Sequence, residues 1–203
     1  MTEADENAGK TPAEKCAHAP AARRRLHPAR RIALAGVYAA LLIGGKEALA
    51  AIPNVEIVTL LCALGGYSFG FTSLPSVLAF VAVEGAIYGF GTWTVSYFIH
   101  WPLVTLAFIL LRRLLPADRK IALRIAATAV ALLSVACFSV LTSLADVGLL
   151  TGFFENFWVR FGVYYLRGVP FYIAQAVTNA VVFPLLFPAL ARLLGKIYAK
   201  MFM

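Results

Sequence analysis

Runs of about 20 apolar residues recur along this chain, parted by short polar breaks, and no other feature restricts its fold as much. As helix, such a run spans about 30 Å, the thickness of a bilayer's hydrocarbon core. Inside lipid every backbone amide must find a partner, which leaves helices and closed barrels. A transmembrane barrel needs short segments of alternating polarity, and none is visible. Composition agrees: 61% of the residues are hydrophobic and 14% charged, whereas about a quarter of a soluble domain is charged.

The breaks divide the chain into six expected spans. The first runs from about Ile32 to Ala51, and the second from about Val55 to Phe71 after a turn at Pro53 and Asn54. Proline is poorly tolerated inside a helix and Asn is a good N-cap, so this boundary is well marked. The third covers about Leu74 to Phe90 and is broken by Gly89, Gly91 and Thr92; the fourth covers Trp93 to Leu115. Ile121 to Phe154 is too long for one straight span. A helix followed by an outer loop or re-entrant piece at Ser143 to Trp158 is expected there. The sixth runs from Arg160 or Gly162 to Leu194, with kinks expected at Pro170, Pro184 and Pro188. Residues 1–29 are polar, Ala-rich and charged and read as a disordered basic tail; 30–203 read as the membrane domain. The Arg23-Arg24-Arg25 run resembles the start of a signal peptide, but the apolar segment after it is too long for one.

The net charge of +8 does not indicate nucleic acid as a partner, because of where the bases lie. Arg23 to Arg25, Arg30, Arg31, Arg112, Arg113, Arg119, Lys120, Arg124, Arg192, Lys196 and Lys200 flank the apolar runs. Basic flanks mark the cytoplasmic side. Six spans bring all these segments to one side, with both termini cytoplasmic; an odd number would split them. The fold expected is thus an all-α bundle of six transmembrane helices.

No phosphate-cradling G-x-x-x-x-G-K-[ST] loop, H-E-x-x-H, C-x-x-C or G-x-S-x-G is present. His18, His27 and His100 are too far apart to cluster within one span, and Cys16, Cys62 and Cys137 have no metal or disulfide spacing. Neither a catalytic residue, a metal nor a cofactor is expected.

Intramembrane charges carry more information. A charge at mid-bilayer costs about 2.5–3.5 kcal/mol on insertion scales, so it needs a partner, a cavity or an escape to the surface. Lys46 lies about 22 Å along the helix from Arg31, where it either snorkels to the outer interface or lines a cavity. Glu56 is a first-turn carboxylate for the second span or a ligand contact. Glu84, near the middle of the third span, has no charged neighbour in sequence, and Lys46 is its first candidate partner. Trp93, Tyr97, His100 and Trp101 share one helical face as an interfacial aromatic belt or as a pocket wall. Asn156, Trp158, Arg160, Tyr164 and Arg167 form a second polar and aromatic group on the same side. Gln175 and Asn179, one turn apart, suit interhelical hydrogen bonding. Together these residues suggest an outward-facing pocket for a polar molecule carrying a flat ring. In the first span, Ala35 with Ala39, and Gly36 with Ala40 beside them, are small pairs that allow another helix to come close, from this chain or from a partner.

The stretch K-E-A-L-A-A-I-P-N-V-E-I-V-T-L at Lys46 to Leu60, with G-F-G-T-W-x-x-x-Y and H-W-P between Gly89 and Pro102, resembles the substrate-binding S components of energy-coupling factor (ECF) transporters, specifically the vitamin type. The chain's size, six expected spans, basic tail and A-x-x-x-A at Ala35 and Ala39 fit that family. The resemblance implies capture of a vitamin or related micronutrient at the outer face of the plasma membrane. It also implies a transmembrane coupling subunit, contacted through Ala35 and Ala39, and two ATPase subunits. Members that take up nickel or cobalt begin Met-His; this chain begins Met1-Thr2, which counts against a metal substrate. Binding without chemistry is therefore the first expectation. A membrane-embedded enzyme acting on a lipid or isoprenoid, using Glu56, Glu84 and His100, is the alternative. A self-sufficient channel or scaffold is a weaker third.

Overall fold

The computed structural model describes residues 28–52 and 56–202. Among these the ordered elements are all helical: α1 (Pro28–Ala48), α2 (Val58–Phe69), a 3-10 turn (Gly70–Ser73), α3 (Leu74–Tyr88), α4 (Thr92–Leu114), α5 (Lys120–Thr151) and α6 (Phe157–Phe202). Four stretches are long and apolar enough to cross a membrane: Val58–Tyr88, Thr92–Leu114, Lys120–Leu150 and Phe157–Lys200. The chain is thus an all-helical protein with the character of a membrane protein. Helix α1 falls outside the four because its uncharged run between Arg31 and Lys46 covers only about 21 Å as helix.

The Val58–Tyr88 stretch is not one rod. Gly70 adopts φ 64°, a left-handed backbone that residues with a Cβ resist, and the chain turns back there. The end of α2 meets the end of α4, where the Arg112 guanidinium donates to the Ser68 carbonyl at 2.8 Å. The end of α3 returns to the end of α1, where the Tyr88 hydroxyl donates to the Glu47 carboxylate at 2.8 Å. The start of α4 meets the end of α5 through a hydrogen bond from Thr92 to Asp146. Successive helices therefore alternate in direction.

Helix α2 is the centre: all twelve of its residues are buried, packed by α1, α4 and α6. Two glycines make this possible. A Cβ on Gly65 would lie 2.7 Å from the Tyr38 ring, and one on Gly66 would lie 2.3 Å from the Thr105 carbonyl oxygen. The α2 backbone thus runs against a ring of α1 and the backbone of α4, the close approach that small residues allow. Tyr38 locks the first contact by donating to the Leu61 carbonyl at 2.6 Å. Phe108, Phe183 and Phe187 fill the space between α4 and α6, with ring centroids 5.2–5.8 Å apart.

Two expectations are corrected. No loop or re-entrant piece interrupts Ser143 to Trp158 up to Thr151, because α5 is continuous for 32 residues. Nothing between Lys120 and Thr151 breaks a helix: no proline occurs there, and Gly148 alone is not enough. At about 48 Å, α5 is longer than a hydrocarbon core is thick and projects beyond it or tilts. Helix α5 stops at Gly152, φ 73°, and the connection to α6 is short. Likewise α6 exceeds its expected bounds at both ends, with 46 residues running on through Pro170, Pro184 and Pro188. The turn at Pro53 and Asn54 lies outside the described residues. So does the tail, except that α1 already begins at Pro28.

Candidate functional site

At the end of the helices where α1 stops and α2 starts, a cavity of about 330 Å³ opens between α1, α2, α3, α4, α5 and α6. Its size is within the range of small-molecule sites. Its charged members come from different parts of the chain. Lys46 lies in the last turn of α1 and forms an ion pair with Glu84 of α3. Glu84 is 0% exposed, while Lys46 is 26% exposed, so the pair is open to the cavity on its lysine side only. The ammonium also sits 4.7 Å from the Tyr88 ring centroid and 5.9 Å from that of Tyr97, within cation–π reach. At the rim, Glu47 accepts from the Tyr88 hydroxyl and ties α1 to α3.

Glu56 stands across the cavity, just before α2. One carboxylate oxygen, Oε1, accepts from the Thr59 hydroxyl and from the Gln175 amide, each at 2.6 Å. Both bonds go to the same oxygen, and Oε2 has no hydrogen bond among the described residues. The Thr59 bond joins Glu56 to the first turn of α2, as a first-turn carboxylate would be. The Gln175 bond joins it to α6. Gln175 thus makes the interhelical bond expected of it, whereas Asn179 donates back along its own helix to the Gln175 carbonyl at 3.0 Å.

An aromatic wall completes the cavity. Tyr97, Trp101 and Phe138 line it together with Tyr88. Tyr97 and Trp101 meet edge to face at 5.5 Å, and Trp101 stacks with Phe138 at 6.2 Å. The Trp101 indole N–H is buried and has no hydrogen-bond partner among the described residues. The cavity therefore offers an acceptor at Glu56 beside a wall of rings. Leu49, Ala50, Ile52 and Val58 supply apolar surface.

Of the residues anticipated from sequence, Lys46, Glu56, Tyr97 and Trp101 line the cavity, and Glu84 is reached through Lys46. His100 does not line it: the ring is buried behind the wall, with its centroid 4.7 Å from those of Trp101 and Phe138. Trp93 touches Tyr97 from outside the cavity, centroids 5.2 Å apart. The second polar group is elsewhere. Asn156, Trp158, Tyr164 and Arg167 are exposed, and Arg160 donates to the carbonyls of Gly152 and Phe154, holding the α5–α6 connection. None of these five lines the cavity.

Tyr88 and Phe138 were missed. Tyr88 follows Glu84 by one helical turn, a spacing that places it on the same face. Phe138 carries no signal of its own, being one apolar residue among many in α5. The small residues of α1 divide between the two alternatives, packing within the chain and facing outward. Ala39 is buried within the chain and Ala35 is half-buried, whereas Gly36 and Ala40 are exposed. The pair left at the surface is the second one. No trio of His, Cys, Asp and Glu able to hold a metal occurs among the described residues.

No family model, curated protein or solved structure matches this chain.

Proposed function

We propose that this chain is the substrate-binding S component of an ECF-type importer of the plasma membrane. It would capture a vitamin or related micronutrient at the outer face and pass it on through a transmembrane coupling subunit driven by two ATPase subunits. One observation carries the reading: a mixed-charge, ring-lined cavity lies at the end of the helices opposite to the basic one. Arg30 and Arg31 start α1, Arg112 and Arg113 end α4, and Lys196 and Lys200 end α6. The positive-inside rule makes that end cytoplasmic, and the cavity then faces outward. The reversal at Gly70–Ser73 supports six crossings with both termini inside. Helices α2 and α3, of 12 and 15 residues, rise about 18 and 22 Å, and in this reading they cross the membrane together with the turns at their ends. The coupling subunit would approach α1 on the side of Gly36 and Ala40.

The charge pattern narrows the substrate. The ammonium of Lys46 is committed to Glu84, and an anionic ligand taking it would strand a fully buried carboxylate, which costs about 3–5 kcal/mol. A neutral or cationic flat ring avoids that cost. Its donor edge would meet Glu56 Oε2, and its ring would lie against Tyr88, Tyr97 and Trp101. The enzyme reading loses support because Glu56, Glu84 and His100 do not converge: one is bonded to Gln175, one is paired with Lys46 and the third lies behind the aromatic wall.

A vitamin panel screened by thermal shift, with native mass spectrometry for retained ligand, tests this. At about 1,000 times its dissociation constant a ligand stabilises by about 4 kcal/mol. One strong hit, lost in Glu56→Gln, together with co-purification of ATPase subunits, is the expected result. No retained mass and no associated ATPase would refute the reading.

A further inference from the structure

The basic end of the helices holds a second cavity that the substrate reading does not use. It is a cleft of about 450 Å³ between the ends of α2, α4 and α6. Three cations line it: Arg112 of α4, and Arg192 and Lys196 of α6. The last two are one helical turn apart and share a face. None of the three has a carboxylate partner among the described residues. Two are oriented by backbone carbonyls: Arg112 Nη1 donates to Ser68 O at 2.8 Å, and Arg192 Nε donates to Pro188 O at 3.0 Å. The remaining guanidinium nitrogens stay available. At the base of the cleft the Ser68 hydroxyl, on a residue only 3% exposed, has no hydrogen-bond partner among the described residues. One acid, Asp118 of the α4–α5 turn, is near enough to bear on Tyr67 electrostatically, so the cations outnumber it.

We propose that this cleft binds a phosphate-bearing anion, the headgroup of an anionic phospholipid. Guanidinium groups and an ammonium suit phosphate oxygens, and the idle Ser68 hydroxyl supplies one more donor. A basic pocket between helices at the cytoplasmic leaflet lies at headgroup depth. The cleft is far larger than a single phosphate, and Pro116, Ala117, Ala191 and Ala199 give it apolar surface beside the cations, with the position of Gly195 open to a neighbour. That suits a glycerophosphate with its acyl chains more than a free ion. The site is independent of the outer cavity and of the identity of its substrate.

The test is native mass spectrometry of the full chain released from micelles containing equimolar phosphatidylglycerol and phosphatidylcholine. Selective retention of phosphatidylglycerol is expected. Each Lys or Arg near the membrane surface contributes about fivefold to anionic-lipid affinity, so Arg192→Gln with Lys196→Gln should lower retention about 30-fold. Arg113→Gln, an exposed arginine outside the cleft, should lower it about fivefold at most. A thermal melt of each variant separates loss of binding from loss of fold, and Ser68→Ala, which removes one hydroxyl, gives a second and milder reading. Equal retention of the two lipids, or a double variant that melts normally and keeps its phosphatidylglycerol, would overturn the proposal. So would an Arg113→Gln effect as large as the double variant's, since that would indicate a diffuse basic surface. Competition by inorganic phosphate without any lipid retention would assign the cleft to a free ion and also overturn the lipid assignment.

Discussion

Replacing Lys46 by Met removes the ammonium that faces Glu84 and leaves a fully buried carboxylate without its counter-charge. Breaking a buried pair on one side costs about 3–5 kcal/mol. The value should fall at the low end, about 3 kcal/mol, because Lys46 borders an open cavity from which water reaches the pair. For a chain of this length that corresponds to a fall of about 6–12 °C in melting temperature. Glu84→Gln alone strands the ammonium instead. Its cost should be smaller, because Lys46 is partly exposed and can turn to water and to the ring of Tyr88. The double variant Lys46→Met with Glu84→Gln removes both charges. Replacing a buried pair by neutral groups is often close to neutral, so the double variant should melt above the Lys46→Met single variant. A coupling of about 1–3 kcal/mol is expected from the cycle. The assay is thermal unfolding of the four proteins in one detergent without ligand. Strictly additive losses would refute the pairing and with it the reason given for disfavouring anionic substrates.

Three further outcomes follow from the packing. Gly66→Ala should destabilise by about 1–3 kcal/mol, because its Cβ would meet the backbone of Thr105; Gly36→Ala, with nothing within 4 Å, should leave the isolated chain as stable or slightly more so, both read by thermal melts. Thr92→Val should cost about 1.5–3 kcal/mol, since it removes a hydrogen bond to the Asp146 carboxylate that ties α4 to α5; an unchanged melt would count against that tie. Arg160→Gln should speed limited proteolysis between Gly152 and Asn156, where its guanidinium holds two carbonyls, while leaving ligand retention in the outer cavity unchanged.

Much of this architecture is local in origin, and for that reason it can be read along the chain. Apolar runs bounded by Arg112 and Arg113, or by Gly89 and Gly91, set where helices lie, since hydrophobicity and helix breakers act over a few residues. Lys46 and Glu84 were legible as partners by elimination: each is a charge in an apolar run without an opposite charge suitably placed on its own helix. Glu56 was legible from its position before α2. The length of α5 was not, because bilayer thickness limits what can be spanned but does not stop a helix from projecting further.

What the tertiary structure alone decided is which faces meet. Four aromatic and polar residues share one face of α4, yet only Tyr97 and Trp101 reach the cavity, because Phe138 of α5 covers His100. Asn156 to Arg167 fell on the expected side in sequence, but none of them lines that cavity, whereas α6 brings Gln175 to Glu56. The central position of α2 depends on Gly65 and Gly66 meeting Tyr38 and Thr105, contacts between residues 27 and 39 positions apart. Helical periodicity specifies a face, and it carries no record of what that face is packed against. The sequence by itself therefore determined a helical membrane protein with charges that had to be paired. The packing of α2 against α1, α4 and α6 determined which of those charges, rings and amides surround one cavity.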